Sequence, residues 1–159
     1  MSSIKSLVQA AGFALCAALA TAVSAQTYGP PPLDLATAKK IAAGAAAEAS
    51  KNSWRVAIAI VDTHGSLIYF ERLDDTQTAS VAIALDKARV GATFRRASRT
   101  FEDRVNKGGP SVLGLRGATP SSGGLPVVIG GRVVGGIGVS GVTGDQDEQI
   151  AAAGAATVK

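Results

Sequence analysis

The chain is nearly empty of the side chains that carry thiol and soft-metal chemistry. It holds one cysteine, one methionine and one histidine, and its aromatic residues amount to 4%. The cysteine and methionine are Cys16 and Met1, both within an N-terminal stretch that reads as an export leader. Lys5 opens it, LVQAAGFALCAALATAV supplies an apolar run, and Val23-Ser24-Ala25 offers small residues for a cut ahead of Gln26. Cleavage there leaves a chain without sulfur. Disulfides, thiolate nucleophiles, zinc–cysteine sites and Met or Cys haem ligands are then excluded.

A membrane anchor is the competing reading of the leader. The run is rich in Ala and Thr and passes straight into Tyr28-Gly29-Pro30-Pro31-Pro32, which favours cleavage. Leu15, a large residue directly before Cys16, argues against lipid attachment. The expected organisation is a leader over residues 1–25, a Pro-rich joint over 26–32 and one domain over 33–159. The product would be periplasmic or secreted, with no membrane contact after cleavage. A net charge of +4 is too small to argue for nucleic acid.

Past the joint, the pattern predicts a helix from Leu35 to about Lys51, capped by Asp34, with Leu35, Ala38, Ile41, Ala42, Ala45 and Ala49 on its buried side. Arg55 to Asp62 and Ser66 to Arg72 read as strands of a hairpin turned by Thr63-His64-Gly65. Ser80 is the expected N-cap of a helix from about Val81 to Val105. Val81, Leu85, Ala88, Ala92, Phe94, Phe101 and Val105 lie on its buried side and the cations, Lys87 included, mostly elsewhere. Lys107 to Gly124 is irregular and glycine-rich, the kind of long loop that serves a function or an assembly. Leu125–Ile129 and Arg132–Ser140 form a second hairpin around Gly130-Gly131, and Asp145 is expected to cap a last Ala-rich helix. The order α-β-β-α-β-β-α implies a single α+β domain, an antiparallel sheet built from hairpins and covered by helices.

Several motifs dissolve on inspection. Gly136-Ile137-Gly138-Val139-Ser140-Gly141 has the glycine spacing of a dinucleotide loop, but too little chain follows to build the parallel strand and acid that loop requires. Its glycines suit a flat strand approached by a ligand or another backbone. A triad of Ser140, His64 and Asp62 lacks a nucleophile elbow. Asp74-Asp75 are adjacent on a connection and most simply solvated.

Two constellations remain. His64 sits at a hairpin corner, where His tolerates unusual backbone angles, and the simpler reading is an exposed turn. The other reading is a metal or haem ligand, for which Tyr28 and Tyr69 are the other candidates after cleavage. Arg72, Asp74 and Lys87 form the second group. If the helix folds back over the preceding strand, Arg72 and Lys87 face a glycine-lined strand and suit a small anionic ligand such as a carboxylate or haem propionate. Alternatively these charges pair with one another and fix the connection.

Taken together, the Ala-rich helix with Ala38-Lys39-Lys40-Ile41, the run IAIVDTHGSLIYFERLDD, Ser80 followed by Ala84 and Lys87-Ala88, and SSGGLPVVIGGRVVGGIGVSG with Asp145 beyond resemble the GlcG/HbpS family. The resemblance spans roughly Leu33 to Thr157. It implies an α+β subunit assembling into a homo-oligomer, often an octamer, with haem or iron as the ligand in at least one branch. Residues matching the family pattern are Asp62, Gly65, Arg72, Asp74, Ser80, Lys87, Gly123, Gly124, Gly136, Gly138, Ser140 and Gly141. Of these, Arg72, Lys87, Ser80, Gly123, Gly124, Gly138 and Ser140 are the expected ligand-binding set, with His64 as metal ligand at a position where members vary. The rival expectation is an enzyme acting on a small organic acid. Arg72 and Lys87 would then hold the anion, Asp74 would move a proton, and amides near Gly123 and Gly124 would polarise a carbonyl. A third is an oligomeric sensory or structural partner protein.

Overall fold

Residues 33–158 are described by the structure, a computed structural model. The leader and the Pro-rich joint, with Tyr28, lie outside these residues. The elements are α1 (Leu35–Lys51), β1 (Ala57–Asp62), β2 (Leu67–Arg72), α2 (Ser80–Thr93), α3 (Arg99–Asn106), a 3-10 turn (Pro110–Gly114), β3 (Gly124–Ile129), β4 (Arg132–Ser140) and α4 (Gly144–Ala155). The four strands pair antiparallel in the order β2-β1-β4-β3, the α+β arrangement read from the sequence.

The central strands are apolar on both faces because both faces are covered. On one side, Ile58 and Ile60 of β1 and Ile137 and Val139 of β4 meet Ile41, Ala42 and Ala45 of α1 and Ile150 and Ala151 of α4. Each fully buried branched side chain here contributes roughly 1.5–3 kcal/mol. On the other side, Ala57, Ala59 and Val61 meet Ala84, Ala88 and Ala92 of α2. That interface is made of small residues, and β4 contributes bare glycines to it. A methyl group on Gly136 would strike the Ala88 carbonyl, and one on Gly138 the Ala84 carbonyl. The glycine-spaced motif therefore admits another backbone, that of α2.

Several boundaries depart from the sequence expectation. The helix expected over Val81–Val105 is two helices, because Arg95 takes a left-handed conformation (φ 55°) directly after α2. Ser98 then anchors the break: its hydroxyl donates to the Ser121 carbonyl at 2.6 Å and accepts from Gly124 N–H at 2.9 Å. Gly91 does not bend α2; it lets the helix pass against the Leu125 backbone. Ser80 does not cap α2. It is the first helical residue, fully buried, and Ala79 holds the cap position without a side-chain bond. At α4 the cap is Thr143, not Asp145: Thr143 and Gln146 form a reciprocal capping box. Asp34 does cap α1, accepting from Thr37 N–H at 2.7 Å, but Leu35 is 50% exposed rather than core. The irregular segment carries the 3-10 turn, pinned where Val112 packs with Val90 and Phe101.

Candidate functional site

Lys87 is the buried centre of the molecule's polar chemistry. It lies on the side of α2 that crosses the β3–β4 edge, with its side chain only 3% exposed. Its ammonium donates to Asp147 Oδ2 at 2.8 Å and to the Val139 carbonyl at 3.1 Å. The other carboxylate oxygen of Asp147 accepts from Val142 N–H at 3.2 Å. Gly123 closes over the pair. Its φ of +116° suits glycine, and a Cβ there would come within 2.8 Å of Asp147 Cβ and 3.2 Å of Lys87 Nζ. Gly124 is equally constrained, since a side chain would meet the Lys87 carbonyl.

Burial pushes the Asp147 carboxyl up from its ordinary value, against the opposing pull of the Lys87 ammonium and of the Val142 and Gly141 amides. Desolvation outweighs these partners because the carboxyl is almost wholly buried. The charge on Lys87 is thus answered inside the protein.

The predicted ligand-binding and catalytic residues separate into three places, apart from His64. Lys87, Gly123 and Gly124 come together, as just described. Ser80 and Ser140 meet each other across the α2–β4 contact, their hydroxyls 3.4 Å apart, while Gly138 lies flat beneath α2. Arg72 and Asp74 are exposed at the end of the outer strand β2, and Arg72 pairs in register with Ala57 of β1. Strand β1 stands between β2 and the β3–β4 edge that Lys87 covers. Arg72 and Lys87 therefore do not converge, and the Gly124 amide proposed to polarise a carbonyl already donates to Ser98 Oγ. The organic-acid scheme loses its paired cations.

Asp147 is the residue that sequence reasoning missed. Its signal was present: Asp147, Ile150, Ala151 and Gly154 repeat at helical spacing and are all buried, so the acid sits on the core face of α4.

His64 is exposed at the corner of the β1–β2 hairpin, next to Gly65 at φ +83°. Asp62 Oδ1 accepts from both His64 N–H (2.8 Å) and Ser66 N–H (2.9 Å), which fixes the turn and leaves the imidazole outward. Nδ1 lies 3.4 Å from Thr63 Oγ1. Leu67, 51% exposed, is close in sequence, and Arg89 Nε donates to the Gly65 carbonyl from α2. Tyr69 donates to Glu71, whose negative charge pushes the Tyr69 phenol up and disfavours the phenolate that iron would need. Among the described residues no group of three or more His, Cys, Asp or Glu is placed to hold a metal ion, and no helix is long and apolar enough to cross a membrane. His64 carries the one imidazole of the chain, and a proximal imidazole is a common protein ligand of haem iron.

Comparison with known proteins agrees with this architecture. The family model described as "Haem degrading protein HbpS-like" matches residues 33–156. Protein GlcG of Escherichia coli (strain K12) is 40% identical over 103 residues, 65% of this chain and 77% of that protein. A double mutant of Streptomyces reticuli HbpS is 31% identical, superposes with a TM-score of 0.75 and covers 87% of this chain and 95% of its own. The structure of a PduOC–haem complex is 26% identical with a TM-score of 0.72, covering 80% of this chain and 95% of its own. With its glycine-floored sheet under α2 and the full span of the domain matched, this chain belongs to the HbpS-like family.

Proposed function

We propose that this protein is exported and binds haem, with the His64 imidazole as the iron ligand. The observation that carries the reading is the haem complex formed by a protein of the same fold, 26% identical over 80% of this chain. The family description, which names haem degradation, supports the same ligand class. Export rests on the leader read from residues 1–25 and on the absence of cysteine and methionine beyond it.

A bound haem would supply a redox-active iron. The contribution of this chain is to present one nitrogen from a hairpin whose backbone is fixed by Asp62. The exposed Leu67 offers apolar surface beside it, and Arg89, on the adjoining helix and paired there with Asp86 at 3.1 Å, offers a cation for a propionate. The corner is open, so enclosure of the ring falls to a second subunit. This accords with a homo-oligomer as the working form.

Titration of the protein with haemin, followed through the Soret band, tests the reading. A saturable band distinct from that of free haemin, with a stoichiometry fixed per chain, is the expected result. A spectrum that stays that of free haemin refutes it.

A further inference from the structure

The geometry points to a second ligand site, distant in kind from the haem corner: a cleft of about 310 Å³ that takes a small zwitterion of the α-amino-acid type. Ser53, Trp54, Arg55, Asp75, Gln77, Gly141 and Val142 line it. Two features of the backbone hold its charged pair in place. Ser53, left-handed at φ 57°, ends the turn that follows α1, where Trp54 N–H donates to the Ala49 carbonyl at 2.9 Å. Asp75, left-handed at φ 59°, sits in a turn locked by buried Thr76, whose hydroxyl donates to the Leu73 carbonyl at 2.7 Å. Non-glycine residues held in this conformation are costly and persist where the surroundings over-determine them, often at ligand clamps.

The two turns set Arg55 against Asp75. The guanidinium donates to the carboxylate through Nη1 alone among the described residues, and the side chains are 59% and 75% exposed. A pair so exposed contributes little to stability, so opening it costs little. A ligand carrying both charges replaces it completely: its carboxylate takes the remaining N–H groups of Arg55 and its ammonium takes Asp75. An apolar side chain then rests against Trp54 and Val142. A bare carboxylate would meet the repulsion of Asp75, and a bare ammonium that of Arg55. The cleft thus selects for opposite charges held on one carbon of a small molecule.

Trp54 is the one tryptophan of the chain, so its emission reports on this cleft. The full protein is titrated with L-leucine, with isocaproate (the carboxylate without the amine) and with isoamylamine (the amine without the carboxylate). Leucine is expected to give a saturable change, with a Kd at least about tenfold below that of either half-ligand. Arg55→Gln and Asp75→Asn are each expected to weaken leucine by about tenfold or more. Both positions are exposed and Asn tolerates the left-handed backbone, so far-UV circular dichroism should be unchanged. No saturable response to leucine, equal responses to all three compounds, or parent-like binding by either variant overturns the proposal. The haemin titration reads a different residue, so either site can fail without the other.

Discussion

Replacing Lys87 by Met removes the ammonium and keeps most of the apolar stem, which isolates the charge of the Lys87–Asp147 pair. In the variant the Asp147 side chain, 2% exposed, loses its 2.8 Å bond to Nζ and keeps only backbone donors such as Val142 N–H. Breaking a buried ion pair from one side costs about 3–5 kcal/mol. That is a large share of the roughly 5–15 kcal/mol that holds a domain of this size together. The dependence on pH follows from the direction of the Asp147 shift. An acid raised in the folded state favours the protonated fold: this contribution is fully present below the unfolded value, 3.8, and is lost as pH rises through the folded value. Removing Lys87 takes away the cation that pulls Asp147 down, so the window of loss widens upward. Urea unfolding of parent and variant at pH 7 and pH 4 should therefore show a deficit that shrinks on acidification. Adding Asp147→Asn to the variant keeps an acceptor for Val142 N–H and removes the stranded charge, so most of the loss should return. A Lys87→Met protein within about 1 kcal/mol of the parent at pH 7, with no pH dependence in the difference, would refute the reasoning.

Other substitutions test the remaining parts. Gly138→Ala drives a methyl into the Ala84 carbonyl and should destabilise by about 1–3 kcal/mol or more in thermal unfolding, because neither β4 nor α2 can retreat from a packed face. Thr143→Ala removes the side-chain half of the α4 capping box and should cost about 1 kcal/mol by urea titration. Arg72→Ala, at an exposed position on the outer strand, should leave stability within about 0.5 kcal/mol of the parent.

The elements were legible because local chemistry announces them: two hairpins with glycine turns, and apolar periods in α1 and β1. The break after Thr93 was not, because nothing in Phe94-Arg95-Arg96 is a helix breaker by composition; it is the tie from Ser98 to Ser121 and Gly124 that turns the chain. Site reading failed in an instructive way at Lys87. A lysine beside arginines on a helix reads as solvated, and its partner lies 60 residues away, beyond any local pattern. Gly136 and Gly138 were legible as places of close approach, and only the packing of α2 tells which backbone approaches. The place of His64 at a hairpin corner was legible from its Thr-His-Gly setting, and its exposure follows from the Asp62 turn.

The proposed haem site turns on one imidazole, and exogenous imidazole tests it most directly. His64→Ala should lose the ligand-bound Soret spectrum that the parent shows with haemin, and millimolar-range imidazole should restore it by filling the vacated coordination position. A His64→Ala protein whose haemin spectrum matches the parent without added imidazole would contradict the assignment.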